Sequence, residues 1–349
     1  MSTKTAGLRH ERVKSSKQHD GKSFKNPTGR GPGLKGNPLP VIGEYFFGSN
    51  QRQPPAPLPL LKPHADWAKR ADGLRVTWLG HSTVLLELDG YRVLTDPVFG
   101  ERASPLPFAG PRRFHPMPAS LDELPELDAV LLSHDHYDHL GRYTMLALAK
   151  KSMPIVTSLG VGAHLEAMGV ASARIHELDW GEHVDLAGLR FTAEPSQHFS
   201  GRGLSDRNGT LWSSFVIQSE HRKLFFSGDT GLTEQYKAIA AKHGKFDLVM
   251  LEVGAWHESW GDIHLGPANA LTAFDWLGGG TLLPVHWGTF NLALHDWDEP
   301  AETLLTLASE QKKRILTPRL GQVFVPEQLD GPTPWWRDVK ALRAPAGTR

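Results

Sequence analysis

The chain contains no cysteine. That excludes a disulfide framework, a thiolate nucleophile and thiolate metal ligands, and it leaves the redox compartment open. It also lacks net charge: 38 Lys and Arg balance 38 Asp and Glu, so no global field favours nucleic acid. No stretch approaches the roughly 20 apolar residues of a membrane span. The N-terminus is polar and basic with no apolar h-region, so the sequence predicts no signal peptide and a cytoplasmic location. What is present is a 349-residue chain with 40% apolar residues, enough for one large α/β core.

Residues 1–70 differ from the rest. "RHERVKSSKQHDGKSFKNPTGRGPGLKGNP" is basic and rich in Gly and Pro, and "QRQPPAPLPLLKP" after it reads as polyproline-like. The composition predicts a partly disordered or loosely draped arm; an arm that meets anionic membrane or caps a partner subunit is the alternative. Residues 71–349 read as the compact folded domain. "LRVTWLG", "TVLLELDG" and "YRVLTDP" are short strands, the last two joined as a hairpin through Asp89-Gly90. "LDAVLLS", "GLRFTAEPSQHFS", "TLWSSFVIQSE", "HRKLFFSGDTG", "FDLVMLEVGAW" and "GTLLPVHWG" carry further strands. Helical patterns fall at "TMLALAKK", "VGAHLEAMG", "TEQYKAIAAKHG", "GPANALTAFDWLGG" and "PAETLLTLASEQKK". Many strands with helices in both halves predict two packed sheets with helices outside.

The informative stretch is "AVLLSHDHYDHL", where His134, His136, Asp138 and His139 follow a buried-looking aliphatic run. Imidazole and carboxylate are ligands for first-row metals, and four of them on one short loop at a strand end point to a metal site over a chance polar loop. One loop cannot close two metal sites. Three further strand ends supply complementary groups: His198 after "AEPSQ", Asp229 between Gly228 and Thr230, and His286 after "LLPV". Small neighbours leave Asp229 room to bridge two ions.

These motifs, in this order, resemble the metallo-β-lactamase superfamily. The resemblance implies an α/β fold, an αββα sandwich of two mixed β-sheets flanked by helices. It places one metal on His134, His136 and His198, and a second on Asp138, His139 and His286, with Asp229 bridging. Two Zn2+ are the expected cofactors, and the all-His/Asp set is also compatible with Mn2+ or Fe2+. "VTWLGHSTVLLELDGYRVLTDPVFGERASPLPFAGPRRF", "FDLVMLEVGAW" and "VHWGTFNLALHDWDEP" narrow the likeness. They resemble the N-acylphosphatidylethanolamine-hydrolysing phospholipase D family, across about residues 74–300.

That family implies a phosphodiesterase releasing an N-acylethanolamine and phosphatidic acid, with phospholipid as partner, peripheral membrane contact and a homodimer compatible with the reading. It also places His264, in "IHLGPANA", beside the phosphate or as general acid to the leaving oxygen; a structural loop histidine is the alternative. Asp138 is expected both to ligate and to orient the attacking water. His81 reads as pocket-lining or structural, and Asp96 as an orienter of a ligand histidine or a turn former before Pro97. Trp256, Trp260, Trp287 and Phe290 line an acyl groove or pack in the core. His10, His19, His221 and His243 read as solvated surface. The competing activity is a metal hydrolase of the same fold acting on a lactone, a cyclic phosphate or another small phosphodiester. A binding module without turnover would carry a broken ligand set, and none is broken. A nuclease would carry a basic stripe or an inserted second domain, and the core shows neither.

Overall fold

A computed structural model of the chain describes residues 7–29, 31–33, 35 and 39–342. Two helices, α1 (Gly7–Ser15) and α2 (Leu39–Phe47), precede the first sheet. That sheet comprises β1 (Leu74–Gly80), β2 (Thr83–Leu88), β3 (Tyr91–Thr95), β4 (Ala129–Leu132), β5 (Ile155–Ser158) and β6 (Ile175–Leu178), with α3 (Arg142–Leu148) and α4 (Gly162–Ala167) as crossovers. The second comprises β7 (His183–Leu186), β8 (Leu189–Glu194), β9 (Ser214–Gln218), β10 (Lys223–Phe226), β11 (Leu248–Glu252) and β12 (Leu282–Val285). Helices α5 (Gln235–His243), α6 (Gly266–Trp276) and α7 (Glu299–Glu310) belong to this half. Strand β13 (Val323–Phe324) returns to pair with β1, and α8 (Trp335–Ala341) follows.

Strand order is β13-β1-β2-β3-β4-β5-β6 in one sheet and β12-β11-β10-β9-β8-β7 in the other. Each is mixed: β1 to β3 and β7 to β10 run as antiparallel meanders, whereas β3 to β6 and β10 to β12 are parallel. This is the two-sheet α/β architecture that the motifs imply.

Strand β4 shows why its sequence is an unbroken aliphatic run. Ala129 and Leu131 face the core shared by the two sheets, while Val130 and Leu132 pack on Met145, Leu148 and Leu165 of the helices outside. A parallel strand covered on both faces needs apolar residues at every position. All four are fully buried, and each large one is worth about 1.5–3 kcal/mol. The strand that carries the histidine loop is thus a rigid base. The Asp89-Gly90 turn has φ of 46° and 88°, the left-handed pair that a two-residue hairpin requires. Helix α6 buries Ala270, Leu271 and Phe274 and ends where the Gly279 N–H donates to the Phe274 carbonyl at 2.9 Å.

The sequence reading did not anticipate β5, β6, β7, β13, α1, α2 or α8. The four strands are two to four residues long, too short for a period to register. The described part of the arm is docked. Arg9 of α1 pairs with Glu177 at 2.5 Å and Glu166 at 2.8 Å, and Val13 and Phe24 are buried against Leu159, Leu211 and Trp212. Residues 1–6, 30, 34 and 36–38 of that arm lie outside the described residues. Among those described, no helix is long and apolar enough to cross a membrane.

Candidate metal centre

The C-terminal ends of β1, β3, β4, β8, β10, β11 and β12 converge on one edge of the sandwich, and the polar side chains singled out in the sequence meet there. His134, His136, His198 and Asp229 present ligand atoms within 4.8 Å of one another; so do His81, Asp138, His139 and His286. Asp229 joins the two sets. Its Oδ2 lies 3.1 Å from both His139 Nε2 and His286 Nε2, and 3.8 and 3.7 Å from His134 Nε2 and His198 Nε2. His136 Nδ1 completes the first set, 2.9 Å from His134 Nε2 and 3.2 Å from His198 Nε2. In the second, Asp138 Oδ2 is 3.1 Å from His81 Nε2, 3.3 Å from His286 Nε2 and 3.5 Å from His139 Nε2.

Three of the outward ring nitrogens, on His139, His134 and His198, are held from behind. Asp96 accepts from His139 Nδ1 at 2.7 Å, from the Ser133 hydroxyl at 2.6 Å and from the Ser133 N–H at 2.7 Å. Ser133 Oγ lies 2.9 Å from His134 Nδ1, and His198 Nδ1 is 2.9 Å from the Ile263 carbonyl. The Asp96 carboxylate thus contacts His139 and the Ser133 loop that follows β4, not the residues of its own turn. Backbone strain collects here: His81, Asp96 and His286 have φ of 54°, 33° and 64°, a region costly for residues with a Cβ.

Electrostatics follow the packing. Burial opposes charge on His286, yet Asp229 and Asp138 raise it to about 10, and burial likewise opposes charge on His139 while Asp229 and Asp138 hold it well above the ordinary histidine range. Burial drives His134 and His198 well below that range. Asp229 would be raised by burial alone, but His139 and His286 pull it far below. A site this rich in lone pairs fits divalent cations. Asp229 Oδ1, His139 Nε2 and His286 Nδ1 are buried with no hydrogen-bond partner. The pocket is open where Asp138, with 15% of its side chain exposed, and His264, with 12%, reach its surface.

His264 stands beside this centre, its ring 5.0 Å from that of His198 and 5.4 Å from that of His286. Its Nδ1 is 3.1 Å from each carboxylate oxygen of Glu252, a fully buried residue the sequence reading missed. The available signal was a carboxylate ending the apolar run "DLVMLE". Asn26 was also missed: its Oδ1 accepts the His198 N–H and its Nδ2 donates to the His198 carbonyl, both at 2.8 Å. Asp135 was a third, buried and 3.3 Å from His164 Nε2. Of the aromatics, Trp287 stacks on Trp78 and Trp335 in the core, and Phe290 edges against His81. Trp256 and Trp260 line a cavity of about 300 Å³ that His264 also borders. His243 departs from the expected solvated surface, because it sits 2.6 Å from buried Glu194.

Residues 91–287 match the sequence model of the beta-lactamase superfamily domain. An uncharacterized protein of Mycobacterium tuberculosis is 45% identical over 301 residues, covering 85% of this chain and 80% of that protein. The N-acyl-phosphatidylethanolamine-hydrolyzing phospholipase D 1 of Caenorhabditis elegans is 33% identical over 349 residues, covering 93% of this chain and 98% of that protein. Among solved structures, the isothiocyanate hydrolase from Delia radicum gut bacteria superposes with a TM-score of 0.60 at 25% identity, over 72% of this chain and 98% of that one.

Proposed function

Because the chain belongs to the metallo-β-lactamase superfamily and, within it, to the N-acylphosphatidylethanolamine-hydrolysing phospholipase D-like family, we propose that it is a two-metal phosphodiesterase of phospholipase D type. The chain is a metal-dependent hydrolase of this fold. The finer reading is that it cleaves N-acylphosphatidylethanolamine-like lipids to an N-acylethanolamine and phosphatidic acid. The observation that carries the two-metal part is the Asp229 Oδ2 shared between two donor sets on one open edge. A relative named for this lipid activity, matched over 98% of its length, supports the substrate class.

In this reading His134, His136, His198 and Asp229 hold one ion, and Asp138, His139, His286 and Asp229 hold the other. Zinc is the preferred metal, with manganese or iron as alternatives. Bound there, two divalent ions supply Lewis acidity toward the phosphoryl oxygens and a water acidified to near neutral pH. The protein's part is placement. His81 Nε2, 3.1 Å from Asp138 Oδ2, fixes the carboxylate that orients the attacking water. Asp96 keeps protons on the outward ring nitrogens. His264, at the open face, hands a proton to the departing ethanolamine oxygen. Trp256, Trp260 and Leu265 wall the adjoining cavity, which this reading assigns to an acyl chain. Helix α2 exposes Leu39, Ile42, Tyr45 and Phe47, and its Glu44 lies 2.9 Å from His257 Nε2 on the loop leading to His264. That helix is the element by which the protein meets a lipid surface.

The test is a mass-spectrometric product assay of zinc-loaded protein on vesicles containing N-acylated phosphatidylethanolamine, with Asp229→Ala as control. N-acylethanolamine and phosphatidic acid, formed by wild type alone, are expected. Diacylglycerol or a lysophospholipid as product refutes the phospholipase D assignment. A second reading, a hydrolase acting on a lactone, a cyclic phosphate or another small phosphodiester, draws on the polar lining of the same cavity by His257, Glu258 and Asp262. It predicts no lipid turnover and activity on a phosphodiester or lactone panel.

A further inference from the structure

We infer that Glu252 is a positioning residue that sets which nitrogen of His264 faces the reacting group. This deepens the reading above and rests on His264 acting at that centre. Glu252 ends β11 and is fully buried in a strand of Leu, Val and Met. A buried carboxylate is costly unless its charge is answered. Two of its partners are backbone groups: Oε1 accepts the Thr230 N–H and the Leu265 N–H, both at 3.0 Å. Those bonds tie the turn after Asp229 to the start of α6, and a neutral amide oxygen would serve them equally well. The one group among the described residues that answers the charge is His264, whose Nδ1 faces both carboxylate oxygens at 3.1 Å.

An ionised carboxylate only accepts. The His264 nitrogen that meets it therefore carries a proton, and Nε2, whose own N–H is the one handed to the leaving oxygen in the reading above, is left as the ring's working atom. The same contact removes Nδ1 from metal binding, although a nitrogen of His264 lies within 4.8 Å of ligand atoms of Asp229 and His286. The arrangement repeats at Asp96 and His139: a carboxylate at a strand end fixes an imidazole that points to the centre. At Glu252 the fixed ring stands outside the two donor sets, so its orientation serves the substrate and not the ions.

Glu252→Gln in the zinc-loaded full chain separates this from a structural role. Glutamine keeps the volume and an oxygen for both backbone N–H groups, but it is neutral and, where its N–H meets His264 Nδ1, that nitrogen gives up its proton, leaving a neutral ring that is a weaker proton donor at Nε2. We expect both metals retained, the melting temperature and KM nearly unchanged, and kcat lowered about 10- to 100-fold. Nitrogen NMR of histidine-labelled protein, with the His264 signal assigned by its loss in His264→Gln, should show Nδ1 protonated in wild type and unprotonated in Glu252→Gln. Unchanged kcat and an unchanged ring spectrum would overturn the inference, as would loss of a metal ion. If wild type turns over no lipid, the phospholipase reading fails and the ring spectrum alone decides: an unprotonated Nδ1 in wild type refutes the role of Glu252. That wild-type spectrum also decides the matter if the variant does not fold.

Discussion

Replacing Asp96 by asparagine changes one oxygen into an N–H donor and should weaken both metal positions at once. Asp96 Oδ2 accepts from His139 Nδ1 at 2.7 Å and from the Ser133 hydroxyl at 2.6 Å; Ser133 Oγ in turn meets His134 Nδ1 at 2.9 Å. The carboxylate therefore sets the proton direction in two chains. One leads to His139 in the second donor set and the other, through Ser133, to His134 in the first. Asparagine keeps the oxygen that accepts the Ser133 N–H at 2.7 Å, so the turn survives. The side-chain amide then points its N–H along both chains and reverses them, moving the protons of His139 and His134 onto Nε2. Disturbing one such supporting contact costs about 10- to 100-fold in metal affinity, or roughly 1.4–2.8 kcal/mol. Two rings disturbed together, one in each set, give a combined loss on the order of 10²- to 10⁴-fold for the pair of ions. The assay is chelator competition with metal counted by mass spectrometry at fixed pH, beside a thermal melt to show that the fold persists. Wild-type affinity at both positions, or loss confined to one ion, would refute the shared-carboxylate argument.

Removing the bridging carboxylate in Asp229→Ala should strip at least one metal and abolish turnover while circular dichroism stays native; full activity in the metal-depleted variant would sink the two-metal reading. Gly254→Ala places a Cβ 2.2 Å from the His286 carbonyl, so His286 must move. Overpacking of this kind costs about 1–3 kcal/mol, read as a lower denaturation midpoint together with weaker metal retention. Burial alone would raise Glu194, but hydrogen bonds from His243 and Lys242 hold it below its ordinary 4.5. A depressed carboxylate contributes stability above its unfolded pKa and loses it as pH falls through the folded value. The stability gap between wild type and Glu194→Gln, measured by urea midpoints, should therefore shrink as pH drops below about 4.5. A gap that stays constant down to pH 3 would show that the pair is not the cause.

What was legible in the sequence was whatever declares itself locally. A run such as "AVLL" is compatible with a strand buried on both faces, and the titratable residues that follow it violate apolarity at a place where a fold can use them. The same logic reached His198, Asp229 and His286, because each stands within four residues of the end of its own strand. It should have reached Glu252 too, which breaks apolarity at the end of β11 just as Asp229 does after β10. Asn26 is a different case. It lies in a segment whose composition argues for looseness, and its partner is 172 residues away. Nothing near it in sequence announces that its amide clamps both sides of the His198 peptide. The arm docks because its charges are complementary at long range: Arg9 finds Glu166 and Glu177, two acids from separate elements of the first half of the sandwich. Strain escapes a one-dimensional reading for a related reason. Left-handed backbone at His81, Asp96 and His286 would be signalled by glycine, but each carries a polar side chain turned toward the candidate centre, and the surrounding hydrogen bonds hold the conformation instead. The groups that perform chemistry are thus written into strand ends, whereas those that aim them are written into the fold.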